Sequence, residues 1–193
     1  MSNLTRDEVV ACLRELGWRV RSGNELDQAI KHFQGGWALG PALDVDGQVG
    51  PESSEALRQS VRRKRSGQST ASSHFSFAEV ACKCGGAFTT CARIWLTRET
   101  FVAMESYRLR KGSGFVPVSG CRCPGHNARV GGASQSQHMR GVAFDTPAEI
   151  DKDRVRSWRV FTGIGYNRSS DRTAHCDLRP GSVDQPTTWV YGR

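Results

Sequence analysis

Apolar residues recur at about every third or fourth position in three stretches near the beginning of the chain, which predicts three helices. Thr5 with Glu8 predicts a capping box at the start of the first helix. Asn24 is a candidate cap for the second helix, and Gly50-Pro51 opens the third. The apolar positions are Val9, Cys12, Leu13 and Leu16, then Leu26, Ala29, Ile30 and Phe33, then Ala56, Leu57 and Val61. The pattern predicts a small all-α module over residues 1–62.

A basic, polar stretch follows the third predicted helix. Residues 63–73 begin with Arg and Lys and continue with Ser, Gly, Gln and Thr, and Ala71 is their one apolar residue. This composition predicts a flexible linker. The basic run at 62–65 has an alternative interpretation as a nucleic-acid-binding patch. The polar residues directly after the run favour the linker.

The rest of the chain, residues 74–193, combines one helical pattern with several short β-like runs. Residues 97–111 have helical periodicity, and Gly112 ends it. Many glycines and turn residues separate the β-like runs, which are residues 115–118, 141–144, 160–164 and 189–191. We therefore predict a multidomain chain in which this second unit is an α+β domain with a mostly antiparallel sheet.

Composition and charge narrow the classes of partner. Hydrophobic residues make up 37% of the 193 residues, and no stretch approaches the ~18–20 apolar residues of a membrane span. We therefore expect no stable membrane insertion. The first residues do not resemble a signal peptide, so we expect synthesis in the cytoplasm. The net charge of +8 favours a polyanionic partner: nucleic acid, anionic lipid or an acidic bacterial wall.

Two histidines and an aspartate are the strongest candidates for chemistry. His138 and Asp145 can face one point if a turn at Gly141 leads into a strand that ends at Asp145. Imidazole and carboxylate are both normal zinc ligands, and a catalytic zinc takes three protein groups and water. His175 is the best third ligand, in a β-like run where it shares a face with Asp177. A single histidine is more often structural, and a metal site is favoured for the set because its spacing comes with a known family pattern.

The same segment resembles a known family of zinc peptidases. The family pattern S-x-H-x-x-G-x-A-x-D is matched without a gap at Ser136, His138, Gly141, Ala143 and Asp145. Residues 74–85, 119–133 and 163–179 resemble other motifs of the family, in the same order, with Cys121 in place of the usual Tyr. The second unit is therefore identified as similar to the D,D-peptidase family M15, which belongs with the LAS metallopeptidases of cell walls and the hedgehog fold.

The resemblance implies a zinc ion and roles for its neighbours. The implied Zn2+ ligands are His138, Asp145 and His175. A general base must take the proton of the metal-activated water. Many members place an acid three residues before the third ligand, where this chain has Arg172. Asp171 is the preferred replacement, and Asp177 is the alternative, either as the base or as support for a histidine ligand.

Two further side chains belong to the implied site. Arg122 occupies the position of the family's arginine, which stabilises a developing oxyanion or binds a substrate carboxylate. Ser136 is expected to line the substrate site, and its alternative role is to cap a turn. Gly163-Ile-Gly165 indicates only a turn.

The predicted helical module resembles the peptidoglycan-binding domain of cell-wall hydrolases. That family has an A-h-x-x-F-Q helix and a D-G-x-h-G-P turn, and residues 29–34 and 46–51 match them. Ser53 and Ser54 stand where Thr is usual. The aromatic residues Trp18, Phe33 and Trp37 are either core or binding residues, and the core role is the commoner one.

The seven cysteines are an odd number, so they cannot all pair within the chain. Five of them fall close together, at Cys82, Cys84, Cys91, Cys121 and Cys123. Two C-x-C pairs differ from the C-x2-C spacing of an ordinary zinc knuckle. Cytoplasmic synthesis argues against a disulfide framework. Free thiols, a second metal site and disulfides all stay open.

Together the two resemblances imply a zinc-dependent peptidoglycan hydrolase that cuts a peptide bond in the stem peptide of the wall. The family includes D-alanyl-D-alanine carboxypeptidases and L-alanyl-D-glutamate endopeptidases, and the bond stays open, with a D,D-endopeptidase as a further type. Without a signal peptide the chain resembles a bacteriophage endolysin, held in the host cytoplasm until release to the wall. We expect a monomer with peptidoglycan and no nucleic acid as partner. The alternative is a non-catalytic wall-binding protein with a structural or decayed zinc site.

Overall fold

A computed structural model of the chain describes residues 2–21 and 23–191. Among these residues the α-helices are α1 Arg6–Leu16, α2 Gly23–Gly36, α3 Pro51–Arg65, α4 Arg98–Lys111, α5 Pro124–Arg129 and α6 Lys152–Ser157. The strands are β1 Ala143–Asp145, β2 Gly163–Tyr166, β3 Thr173–Asp177 and β4 Thr187–Val190, and 3-10 helices span Phe77–Val80 and Gln137–Arg140. None of the described helices is both long enough and apolar enough to cross a bilayer.

The caps of the first three helices follow the sequence pattern with one exception. The Thr5 backbone N–H donates to the Glu8 carboxylate at 2.7 Å, and the Glu8 N–H donates to the Thr5 hydroxyl, as the predicted capping box requires. Pro51 is the first residue of α3, as predicted. Asn24 is not a cap, because α2 already begins at Gly23 and includes it.

A buried glutamine joins the predicted Asp-Gly turn to α2. Gln34 donates from Nε2 to Asp46 Oδ1 and to the Gln48 carbonyl, both at 2.9 Å. It also accepts the backbone N–H of Gly47 at 2.9 Å. Gly47 has φ +83°, and a Cβ there would lie 2.5 Å from the carboxylate of Asp27. The turn therefore needs both the glycine and the glutamine of the pattern.

The basic stretch 63–73 differs from the predicted flexible linker. Helix α3 continues through Arg65, because Arg and Lys are good helix formers and are favourable in a last turn. Arg65 pairs with Glu15 of α1 at 2.8 Å. Residues 70–72 are buried, and the Ala71 carbonyl accepts the N–H of Ala38 at 2.7 Å. Long-range backbone hydrogen bonds hold this segment, and its composition gives no sign of them.

One apolar cluster runs from Val9 to Cys176. The Trp18 ring lies 4.7 Å from the Phe77 ring, and its indole N–H donates to the Ile94 carbonyl at 3.1 Å. Trp18, Phe33 and Trp37 are all buried, which confirms their role as core residues. The first three helices thus pack directly on the residues that follow them. Their division from residues 74–193 as separate domains stays a prediction.

The sheet has the strand order β1-β3-β2-β4. The pairs β1–β3 and β2–β3 are antiparallel, and β2–β4 is parallel, so the sheet is mixed and mostly antiparallel. Helix α4 matches its predicted range, with Thr97 as cap and Gly112 in the left-handed conformation. The predicted run 115–118 is not a strand, and Pro117 within it has no N–H to donate to a neighbouring strand.

Candidate metal and peptidase site

A short helix, a glycine turn and a strand place His138 and Asp145 at one point. His138 lies on the 3-10 helix Gln137–Arg140, which ends at Gly141 with φ +74°. A Cβ at Gly141 would lie 2.1 Å from the carbonyl oxygen of Trp95, so only glycine fits this turn. Strand β1 follows at once and carries Asp145 as its last residue. This turn into a strand is the one that the sequence predicts.

The register of the sheet adds His175 to the pair. Strands β1 and β3 are antiparallel, with Asp145 opposite His175 and Ala143 opposite Asp177. Side chains of directly opposite residues lie on the same face of a sheet. His175 therefore reaches the carboxylate of Asp145, although 30 residues separate them in the chain.

Three potential ligand atoms form a small triangle. Asp145 Oδ1 lies 3.1 Å from His138 Nε2 and 2.9 Å from His175 Nδ1, and the two nitrogens are 3.1 Å apart. Zinc binds such atoms at about 2.0–2.1 Å in tetrahedral geometry, which places ligands roughly 3.3 Å from one another. The triangle therefore fits a zinc ion with only small adjustments.

Hydrogen bonds on the far side of each ring turn the lone pairs of both imidazoles toward the triangle. His138 Nδ1 donates to the Gly120 carbonyl at 2.6 Å, and His175 Nε2 donates to Asp177 Oδ2 at 3.0 Å. In these neutral tautomers, His138 Nε2 and His175 Nδ1 are acceptors, like the carboxylate of Asp145. His138, Asp145 and His175 are only 1%, 5% and 3% exposed. Three buried acceptors in contact repel one another unless a proton or a cation lies between them, and this donor set suits zinc.

The electrostatics of the cluster favour its metal-binding protonation state at two of the three residues. Burial opposes charge on Asp145, but contact with the His138 and His175 rings lowers its pKa well below the usual value. Burial lowers the pKa of His138, so this ring is neutral at neutral pH. Burial also opposes charge on His175, but its bonds to Asp145 and Asp177 raise its pKa. A proton therefore competes with a metal ion for His175.

Asp177 supports His175 from behind. It is fully enclosed, and its carboxylate accepts His175 Nε2 on one oxygen and Arg179 Nε, at 2.8 Å, on the other. Such a carboxylate fixes the tautomer and orientation of a histidine ligand. Of the two roles considered for Asp177, the contacts favour support of the ligand over proton transfer.

Arg122 holds the outer oxygen of Asp145. Its Nη2 donates to Asp145 Oδ2 and, at 2.9 Å, to the hydroxyl of Tyr191, while its Nε donates to Ser119 Oγ at 3.0 Å. The guanidinium therefore lies beside the three candidate ligands, where the resemblance places the family's arginine. It is both an anchor for Asp145 and a fixed positive charge next to the candidate metal position.

The cluster opens into a cavity of about 1350 Å³. Ser136 is one of its lining residues, as are His138, Asp145 and His175. The cationic lining residues are Lys83, Arg122, Arg129 and Arg179. Among the described residues that line the cavity, Asp145 is the one carboxylate. The cavity therefore suits a substrate that carries negative charge.

Asp171 is not brought into this cavity. It has φ +53° in the connection between β2 and β3, and its carboxylate lies 2.9 Å from Lys152 Nζ. It lies two residues before β3 begins at Thr173 and is not among the described residues that line the cavity. More than half of its side chain is exposed, at 55%. The structure gives no support to Asp171 as the general base.

Several residues around His175 were not predicted. The Tyr191 ring stacks on His175 at 4.8 Å, and Trp189 lies 5.3 Å from it. The prediction of a turn at Gly163-Ile-Gly165 is wrong, because these residues lie in β2. A Cβ at Gly165 would lie 2.8 Å from Tyr191, and one at Gly163 would lie 2.1 Å from Asp177. In the sequence, the spacing of two between Gly163 and Gly165, and between Trp189 and Tyr191, indicates that each pair lies on one face of a strand.

Comparison with known families agrees with this geometry. A family model described as Peptidase M15 matches residues 73–177, more than half of the chain. The match includes His138, Asp145 and His175, which are candidate metal-binding residues of a typically zinc-dependent family. No curated protein matches the sequence. The chain belongs to the peptidase family M15.

Proposed function

We propose that the protein is a zinc-dependent peptidase that cuts a peptide bond in the stem peptide of bacterial peptidoglycan. The observation that carries the proposal is the triangle of His138 Nε2, Asp145 Oδ1 and His175 Nδ1, with sides of 2.9–3.1 Å, at the wall of a large cavity. Three protein ligands beside an open space are the arrangement of a catalytic zinc site, in which a fourth position is left for water or substrate.

The residues around the triangle supply the rest of the chemistry. When bound, zinc acts as a Lewis acid that polarises the scissile carbonyl and acidifies water. Arg122 offers fixed positive charge to the oxygen on which negative charge develops, or to a carboxylate of the substrate. Burial raises the pKa of Tyr191, so its hydroxyl stays protonated and is able to donate a hydrogen bond beside Arg122.

The charge of the cavity supports an acidic peptide as substrate. Arg122 pairs with Asp145 and Arg179 with the enclosed Asp177, which leaves Lys83 and Arg129 as the described lining cations without a carboxylate partner. Stem peptides of peptidoglycan carry free carboxylates, which Arg and Lys bind well. The bond cut is that of a D-alanyl-D-alanine carboxypeptidase, an L-alanyl-D-glutamate endopeptidase or a D,D-endopeptidase, and the masses of the products distinguish these.

The first three helices extend the proposal to the setting of the reaction. Their resemblance to peptidoglycan-binding domains supports wall attachment through residues 1–62. An enzyme with these two parts fits a bacteriophage endolysin, held as a monomer in the host cytoplasm and acting at the wall after release.

The test is mass spectrometry of the soluble fragments that the protein releases from purified diaminopimelate-type peptidoglycan. We expect new amino termini that disappear with a chelator and return with added zinc. The variant His138→Ala should release none, while His74→Ala, which changes an exposed histidine bound to Glu105, should match the wild type. Release that persists in chelator or in His138→Ala would contradict the proposal.

A second candidate function is supported by the lack of a carboxylate in position to act as general base among the described residues around the cavity. Asp171 pairs with Lys152, Asp177 is enclosed behind His175, and no other carboxylate among the described lining residues faces the cavity beside Asp145. A non-catalytic wall-binding protein with a zinc-stabilised site fits this observation. It predicts that the protein pellets with purified walls, contains zinc and releases no fragments at all.

A further inference from the structure

Four cysteines converge in a second cluster outside the cavity. The sulfur atoms of Cys82, Cys84, Cys91 and Cys123 all lie within 4.8 Å of one another. Each of these residues is at most 4% exposed. The first three come from the loop that follows the 3-10 helix Phe77–Val80, and Cys123 is the cap of α5. Distant parts of the sequence thus bring four thiols to one buried point.

We propose that these four sulfurs bind one zinc ion in a closed tetrathiolate site. Zinc binds cysteine sulfur at about 2.3 Å, which places the four sulfurs of a tetrahedral site roughly 3.8 Å apart. The four sulfurs all lie within 4.8 Å of one another, so the site forms with movements of about 1 Å or less at each side chain. With four protein ligands and no access from solvent, such a site is structural rather than catalytic.

Backbone N–H groups are aimed at the sulfurs. Cys82 Sγ accepts the N–H of Cys123 at 3.3 Å, and Cys123 Sγ accepts the N–H of His126 at 3.4 Å. The N–H groups of Gly86 and Phe88 lie beside the sulfur of Cys84. Donors of this kind stabilise thiolates, the form that binds a metal, and orient them from outside the coordination sphere.

Glycines shape the loop so that these donors are available. Gly85 has φ +64° and Gly86 has φ +89°, so the chain reverses directly after Cys84. The reversal turns successive N–H groups toward the sulfur. In an ordinary zinc knuckle, the C-x2-C spacing lets the chain turn around the ion. Here the two left-handed glycines after the C-x-C pair provide that turn.

Cationic side chains lie beside the loop that carries the cluster. Four thiolates and one Zn2+ carry a net charge of about −2, which needs compensation in a buried site. Arg21 donates from Nη2 to the Thr89 carbonyl of the loop at 2.7 Å. The guanidinium of Arg19 lies against Gly86, 2.6 Å from the position of a Cβ there. Lys83 lies within the loop itself. These cations favour a metal-bound, anionic cluster over four neutral thiols.

The geometry also favours a metal over disulfides. A disulfide joins two sulfurs at about 2.05 Å and satisfies each of them with one partner. In this cluster every sulfur has all three others within 4.8 Å, and all four cysteines are free. A tetrahedral ion satisfies the four at once, whereas two disulfides would have to divide them into pairs.

The zinc site would hold the segment that supports the histidine–aspartate cluster. Cys123 directly follows Arg122, the anchor of Asp145, and Gly120, whose carbonyl accepts His138 Nδ1, lies three residues before it. Cys121, between them, is not part of the cluster. Its sulfur instead accepts the N–H of Trp95 at 3.2 Å. Cys123 therefore belongs to the proposed metal site, and Cys121 serves as the control position for substitutions in it.

The test is the zinc content of the intact protein, purified from zinc-supplemented medium and measured by elemental analysis. We expect two zinc ions per chain in the wild type and in Cys121→Ser, and one in His138→Ala. The double variant Cys84→Ser/Cys91→Ser should contain one fewer than the wild type. A wild type with at most one zinc, which His138→Ala then loses entirely, would overturn the proposal.

A second measurement on the wild-type chain keeps the test independent of whether the double variant folds. Protein produced with cobalt in place of zinc should absorb in the near ultraviolet, through thiolate-to-metal charge transfer, and this absorption should remain in His138→Ala. Seven reactive thiols should be counted after denaturation without reductant. Bound iron, a shortfall of thiols through disulfides, or the absence of the cobalt–thiolate absorption would contradict the site.

Discussion

The histidine–aspartate cluster and the cysteine cluster differ in the number of their candidate ligands and in their access to solvent. His138, Asp145 and His175 provide three ligand atoms that border a cavity of about 1350 Å³. The four cysteines provide four atoms and are enclosed. Three ligands and an open side leave room for a substrate, whereas four ligands and no opening leave none. Under the two proposals made above, the first cluster carries the reaction and the second supports the fold.

The clusters also differ in what holds their ligands. Asp145 and His175 lie on paired strands, and Gly120 and Asp177 orient the two histidines through hydrogen bonds. The sheet therefore maintains the triangle whether or not an ion is bound. Three of the four cysteines lie in a loop without helix or strand between Val80 and α4. Hydrogen bonds such as that from the Cys82 N–H to the Arg93 carbonyl, at 2.7 Å, also hold this loop, and we expect a bound metal to add to its order.

We call His138, Asp145 and His175 the open cluster, because they border the cavity. Loss of a ligand from this cluster should have the largest effect on activity. His138→Ala removes one of three ligands, and we expect peptide release to fall by more than about 1,000-fold, because the metal supplies several kcal/mol of transition-state stabilisation. The melting temperature should change little, since the sheet holds the site. Rates of fragment release and thermal unfolding check this, with His74→Ala as control. Activity within tenfold of the wild type would separate this cluster from the reaction.

Arg122→Gln should have the next largest effect. It removes a fixed positive charge beside the reacting oxygen, and we expect kcat/KM to fall by about 100-fold, as when one oxyanion donor is lost. Arg122→Lys should recover part of the rate, because lysine keeps the charge but not the forked geometry. Arg159→Gln, which changes an exposed arginine bound to Asp184, is the control. Equal loss in the lysine and glutamine variants would contradict a role for the charge.

Asp177→Asn should act on the open cluster alone. The variant keeps the shape of the side chain but removes the charge that orients His175, and we expect zinc affinity there to weaken by about 10–100-fold. Competition with a chelating dye measures this affinity, and Asp184→Asn is the exposed control. If the cysteine cluster lost its zinc as well, the two sites would not be independent.

Cys84→Ser should affect thermal stability more than peptide release, the opposite of the expectation for His138→Ala. Loss of the structural ion removes a stabilisation of about 3 kcal/mol or more, which lowers the melting temperature by about 10 °C in a chain of this size. Limited proteolysis should cut within residues 82–93 in the variant and spare them in the wild type. Cys12→Ser changes a half-buried cysteine of α1 and should leave both results unchanged. Identical melting curves for the two variants would contradict the role of the cluster.

Much of the open cluster could be predicted from the sequence because its geometry is local. His138, Gly141 and Asp145 lie within one short helix, one turn and one strand, so their spacing alone places two ligands together. His175 was expected from a pleated strand and the family resemblance, whereas its position opposite Asp145 comes from the pairing of β1 with β3. The resemblance to family M15 independently indicates His138, Asp145 and His175.

The remaining features depend on contacts that spacing does not encode. Asp171 is near His175 in sequence, but it lies outside β3 and pairs with Lys152 instead of lining the cavity. The two cysteines at 121 and 123 look equivalent in sequence, yet only Cys123 faces Cys82. Likewise, the burial of residues 70–72 depends on partners such as Ala38, far back in the chain.

The most direct test of the account is a time course of zinc content and peptide release in the same samples during exposure to a mild chelator. The open cluster borders a cavity and the cysteine cluster is enclosed, so we predict that one zinc per chain leaves first and that activity falls in proportion to it. The second zinc should remain after activity is lost, and added zinc should restore the rate. Activity that survives the loss of the first zinc, or simultaneous release of both ions, would contradict the division of roles between the two clusters.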